Sequence, residues 1–178
     1  MRKQQIPNLL TLARTLAVPV ALALMVLQVG PGPLLALFLF AAATDYLDGY
    51  LARKWNAVTP LGTMLDPIAD KLLVALMLVY LAVVTQMAFL PIALILMREL
   101  YISGLREYLA LRAIPLPVSS GGKWKTTVQM LAIIVLYGSV FLQHPRVWDG
   151  GIVLLWIATF LALTSAVQYT RAAWKHLR

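Results

Sequence analysis

Four aspartates embedded in apolar sequence constrain this chain more than any other feature. Asp45, Asp48, Asp66 and Asp70 are four of its seven acidic residues, and long apolar runs flank them on both sides. A carboxylate withdrawn from water costs on the order of several kcal/mol unless a positive charge binds it. Any fold for this chain must therefore bring a counter-charge to these positions.

Their spacing places them. At about 100° per residue, Asp45, Asp48, Gly49 and Ala52 share one face of a helix, with Arg53 one step round. Thr59-Pro60 reads as a helix start, Thr at the N-cap and Pro at the first helical position. From there Thr59, Gly62, Asp66 and Asp70 again share a face. Two helices joined by a short turn then present two carboxylates each to one site. Gly49, Ala52 and Gly62 leave room there for a ligand or a second backbone. Pro67, between two of the acids, loosens the local backbone hydrogen bonding.

Unpaired, the four carboxylates would repel one another. An all-oxygen set without Cys or His suits Mg²⁺, Mn²⁺ or Ca²⁺ rather than zinc. Two such ions balance four charges, and a two-ion clamp suits displacement at phosphorus. A helix-dipole role would account for Asp66 alone, not for Asp45 and Asp48 inside an apolar helix.

Composition supplies the surroundings of that site. Of 178 residues, 61% are hydrophobic and 12% charged. This excludes an ordinary soluble protein and predicts an all-α polytopic membrane protein, one domain over residues 1–178. No cysteine is present, which excludes disulfides. We expect a short interfacial helix over residues 6–14 and six transmembrane helices, near 15–29, 34–55, 60–84, 89–111, 123–142 and 152–169. Gly30-Pro31-Gly32-Pro33, Thr85-Gln86, residues 115–122 and residues 143–151 read as turns or loops. A signal peptide is the rival reading of the first span. The small-x-small cleavage pattern after its apolar core is missing, so the span is read as retained.

The net charge of +8 follows the loops rather than forming a nucleic-acid patch. The N-terminus, the Arg53-Lys54 turn, the Arg106–Lys125 region and the Arg171–Arg178 tail fall on one side. The opposite turns carry only Arg146. The positive-inside rule then puts both termini and the aspartates at the cytoplasmic face of the cytoplasmic membrane. No nucleic acid is expected as a partner; membrane lipids are. Transport of a divalent cation is the rival function. Arg53, beside small residues, favours a pyrophosphate-type ligand instead.

Other candidates are less specific. Arg98 and Arg106 lie two turns apart on the fourth span, and Lys123 opens the fifth. Together they suit a phosphate on a second ligand, or else they pair with Glu99 and Glu107 or snorkel to the headgroups. Asn8 and Thr11 either cap the first helix or reach the ligand pocket.

The run Asp-x2-Asp-Gly-x2-Ala-Arg-x8-Gly-x3-Asp-x3-Asp, residues 45–70, resembles the signature of the CDP-alcohol phosphotransferases at every fixed position. The resemblance implies a membrane enzyme that moves a phosphatidyl-type group from a CDP-linked donor to an alcohol. It implies two divalent cations, Mg²⁺ or Mn²⁺, on Asp45, Asp48, Asp66 and Asp70, with Asp70 also the general base. Gly49, Ala52, Arg53, Thr59 and Gly62 would shape the CDP pocket, with Asn8 and Thr11 near it. Further blocks are Ile6–Thr11, Tyr50–Asn56, Leu65–Leu73, Arg98-Glu99, Ser103–Arg106 and Gly122–Thr126. They resemble the bacterial branch that joins CDP-diacylglycerol to glycerol 3-phosphate, for which Arg98, Arg106 and Lys123 would bind the acceptor phosphate. Inositol phosphate, serine or phosphatidylglycerol are the acceptors of other branches. The family also implies a homodimer.

Overall fold

The computed structural model describes residues 5–55, 60–112, 114 and 120–177, and side chains among these except 5–10, 46, 48–55, 60–63, 120–123 and 175–177. The described residues form six long helices: α1 (Gln5–Val26), α2 (Pro31–Trp55), α3 (Pro60–Val84), α4 (Phe89–Leu111), α5 (Ser120–Leu142) and α6 (Pro145–Leu177). A 3₁₀ turn, Gln86–Ala88, joins α3 to α4. Two compact units divide the chain, residues 1–80 and 81–178, and α3 runs through the division.

Four stretches are long and apolar enough to cross a bilayer: Met64–Val84, Gln86–Leu111, Trp124–Leu142 and Pro145–Trp174. The apolar parts of the first two helices, Thr11–Val26 and Pro31–Asp45, are shorter. In α2 the apolar run stops at the acids. The expected interfacial lead-in is not set apart from the first span; both belong to α1, with Pro19 inside it.

Each helix enters the core by one stripe. In the first unit, α1 buries Thr11, Arg14, Ala17 and Ala21, while α2 buries Leu34, Phe38, Ala41 and Thr44. Those intervals of three and four residues keep one face inward. Small Ala17, Ala21 and Ala41 allow close helix approach, as membrane packing requires. Ala69, Leu73 and Met77 continue the pattern in α3. In the second unit, α6 buries Gly151, Leu155, Ala158, Ala162, Ser165, Tyr169 and Ala173.

Two helix ends differ from expectation. The expected polar turn over residues 143–151 is mostly helix, because α6 begins at Pro145. Proline is tolerated in the first helical turn, where its missing N–H has no partner to lose. At the ends of α1 and α5 the left-handed residue is a glutamine, Gln28 or Gln143, each with φ 52°. Val29 N–H donates to Leu24 O at 3.2 Å, and His144 N–H to Ser139 O at 3.0 Å. These bonds close each helix in the Schellman manner without glycine.

Candidate active site

The inward stripes of the first unit turn polar at one end. On α2 the stripe that runs through Phe38 and Ala41 arrives at Asp45. On α3 it begins with Asp66 and Asp70 before passing into Leu73 and Met77. On α1 it carries Thr11 and Arg14. Three helices thus contribute polar groups to one place.

Arg14 lies at the centre. Its Nη1 is 2.6 Å from Asp45 Oδ1, 3.2 Å from Asp70 Oδ1 and 3.6 Å from Asp66 Oδ1. The Asp70 contact is a hydrogen bond donated by Arg14. One guanidinium nitrogen therefore meets oxygens from two helices. The side chain of Arg14 is 1% exposed, whereas those of Asp45 and Asp70 are 51% and 41% exposed. The acids are partly exposed, and the arginine that pairs with them is buried beneath. A buried guanidinium is tolerable only with such pairing.

The expected meeting of Asp45, Asp66 and Asp70 is thus what the helices produce. Among the described residues, no three acid or imidazole side chains form a metal-ligand cluster by themselves. Their oxygens gather on Arg14 instead. The donor set still suits a hard divalent cation. It is all oxygen, and Asp66 Oδ1 is buried without accepting a hydrogen bond. The side chain of Asp48, one turn along α2 from Asp45, lies outside the described residues. So do those of Asn8, Gly49, Ala52, Arg53, Gly62 and Lys123, and all of Thr59. Thr11 is 2% exposed on the α1 stripe, one turn before Arg14.

Arg14 is the residue that sequence reasoning missed. It stood at the end of the expected lead-in, close to Arg2 and Lys3, and so passed for an interfacial charge. A signal was present: Thr11, Arg14, Ala17 and Ala21 repeat at helical spacing.

The second unit holds a separate polar cluster. Arg98 is 8% exposed and spans from α4 to α6, donating from Nε to Ala162 O at 3.2 Å and from Nη2 to Ser165 Oγ at 3.0 Å. Its Nη1 donates to Glu99 Oε1 at 3.0 Å, and Lys125 of α5 pairs with the same oxygen. Arg106 donates to the Tyr169 hydroxyl at 3.0 Å and lies over its ring. Arg98 and Arg106 are therefore both held against α6, and Lys125 brings positive charge from α5. Pairing with Glu99, the second reading of Arg98, is realised. Gln129, one turn beyond Lys125, is 4% exposed, and its Oε1 accepts no hydrogen bond.

Helical stripes that end in carboxylates, in an apolar chain whose described residues are almost all helical, fit a membrane protein with a charged site at one end of its first unit. The chain belongs to the CDP-alcohol phosphatidyltransferase family, whose profile matches residues 4–167. Relatives named CDP-diacylglycerol–glycerol-3-phosphate 3-phosphatidyltransferase resemble it over nearly their whole length. The protein of Rickettsia bellii is 41% identical, with 97% of each chain covered. That of Escherichia coli strain K12 is also 41% identical, covering 94% of each. That of Pseudomonas fluorescens is 42% identical, covering 97% of this chain and 92% of its own.

Proposed function

We propose that this chain transfers the phosphatidyl group of CDP-diacylglycerol to glycerol 3-phosphate, giving phosphatidylglycerol phosphate and CMP. The convergence of Asp45, Asp66 and Asp70 on one point carries this reading. Family membership and the names of the relatives support it and set cation transport aside.

Asp45, Asp48, Asp66 and Asp70 would hold two divalent cations, Mg²⁺ or Mn²⁺. Bound there, the ions neutralise the donor's diphosphate and stabilise the departing CMP. Asp70 accepts the proton of the acceptor hydroxyl. That oxygen attacks the phosphorus bearing diacylglycerol, the bond from this phosphorus to the CMP oxygen breaks, and CMP leaves. Gly49, Ala52 and Gly62 give the nucleotide space, Thr59, Asn8 and Thr11 border it, and Arg53 offers a fork to its phosphate. Arg98, Arg106 and Lys123 hold the acceptor phosphate, with Lys125 and Glu99 fixing Arg98. The diacyl tails lie between helices, open to the bilayer. The site faces the cytoplasm, where the nucleotide and the glycerol phosphate are soluble, and the protein works as a homodimer.

The test is an assay of purified protein with CDP-diacylglycerol, Mg²⁺ or Mn²⁺, and a panel of acceptors. We expect metal-dependent CMP release with glycerol 3-phosphate. Turnover with serine or inositol phosphate but none with glycerol 3-phosphate would assign another acceptor.

A further inference from the structure

The position that charge balance reserves for a cation is taken by a side chain. Arg14 Nη1 approaches Asp45 Oδ1, Asp70 Oδ1 and Asp66 Oδ1 at 2.6, 3.2 and 3.6 Å. These oxygens belong to the carboxylates that the proposed function assigns to divalent ions. Hard cations sit about 2.0–2.6 Å from such oxygens. An ion at that distance and a guanidinium nitrogen cannot both keep the same three atoms, since their charges would repel strongly at so short a separation.

We propose that Arg14 is the resident counter-charge of the aspartate cluster. In the metal-free protein it holds the carboxylates of α2 and α3 together, and a divalent ion binds by displacing it from their oxygens. This role rests on the metal site of the proposed function. It explains how three partly exposed acids gather at the end of an apolar stripe before any ion arrives: the guanidinium offsets part of their mutual repulsion. It also ties α1 to the loading state. Once displaced, the guanidinium keeps its charge and needs a new anion. A diphosphate bound beside the ions offers one, in the two-oxygen geometry that guanidinium prefers. Metal and nucleotide then bind cooperatively, because each supplies what the other's binding requires. Arg14 is a positioning residue here, acting first through the carboxylates.

The test is Mn²⁺ binding to the full chain without nucleotide, followed by the paramagnetic signal of free Mn²⁺, together with thermal unfolding in chelator. Arg14→Met removes the competitor, so Mn²⁺ affinity rises at least tenfold. Its melting temperature in chelator falls by several degrees, and Mn²⁺ restores more of it than in the parent protein. Arg14→Lys keeps a charge for folding, but one compact amine on a shorter reach holds three carboxylates less well. Its Mn²⁺ affinity rises two- to fivefold, and this variant decides alone if Arg14→Met does not fold. Mn²⁺ affinity in the variants that is unchanged or weaker overturns the role of Arg14 and leaves the proposed function standing. Absence of Mn²⁺ binding from every form, even with CDP added, removes both.

Discussion

A carboxylate can neighbour a positive charge and still have different work to do, and Asp70 and Glu99 show the contrast. Asp70 is 41% exposed beside Asp45, which leaves it open to an acceptor hydroxyl in the proposed reaction. Asp70→Asn keeps the shape but removes the proton acceptor and one of the carboxylates on Arg14, so we expect CMP release to fall about 10²–10⁴-fold with a cooperative unfolding transition retained. Near-normal turnover would remove the base assignment. Glu99 instead receives Arg98 and Lys125 from two helices. Glu99→Gln leaves two cations facing each other without a counter-charge. We expect a loss of roughly 2–3 kcal/mol, read as a lowered melting temperature that chelator or metal does not alter. The acids of the candidate site were legible in the sequence because intramembrane charge is expensive and seldom idle. Arg14 was less legible because basic side chains near a membrane surface have a cheap alternative in snorkelling. The partners of Arg98 on α6, Ala162 O and Ser165 Oγ, carry no charge pattern, so nothing in the sequence marked them.

At the scale of the helix, hydropathy predicted the bounds of α2, α3, α4 and α5 to within three residues, set the start of the first span about ten residues late, and misjudged both ends of α6. Residues 145–151 contain Arg146, Asp149 and two glycines, which reads as a turn when only local propensity is weighed. Packing decides otherwise. A Cβ built on Gly151 would lie 2.7 Å from Leu136 Cδ2, 2.8 Å from its Cγ and 3.3 Å from Val135 Cγ1. Leu136 is fully buried and has little room to yield. Glycine here is thus the condition for α5 and α6 to touch, not a helix breaker. Gly150, one residue earlier, has nothing within 4 Å of the same added atom. The two positions make a matched test. Gly151→Ala should destabilise by about 1–3 kcal/mol through overpacking. Gly150→Ala should be neutral or stabilise by up to about 1 kcal/mol through helix propensity. Unfolding of the two purified variants in the same detergent would compare them. Equal melting temperatures would show that the α5–α6 contact does not depend on this close approach.

For the molecule in its membrane, charge argues which side the aspartates face. Arg53, Lys54, Arg106, Arg112, Lys123 and Arg171 fall at helix ends on one side of an alternating path, while Arg146 is the basic residue at the opposite ends. Each cation near an anionic leaflet is worth about 1 kcal/mol, so the inverted orientation would forfeit several such terms and recover one. The chain has no cysteine, which makes single introduced thiols unambiguous reporters. Met87 is 72% exposed in the turn into α4, at the end opposite the basic ends, and Arg171 is exposed in the last turn of the Pro145–Trp174 stretch of α6. In intact cells, a membrane-impermeant maleimide should label Met87→Cys and spare Arg171→Cys until the membrane is opened. The reverse pattern would place the aspartates outside, where neither a nucleotide-linked donor nor glycerol 3-phosphate is made, and would break the link between the site and its proposed substrates. Labelling of both in intact cells would mean two orientations coexist, and the asymmetry of charge would then be too weak to set topology. Acids at the cytoplasmic surface would let a protein meet a lipid donor in the bilayer and a charged acceptor in water, and the excess of basic residues on one side of the alternating path is what would hold it in that orientation.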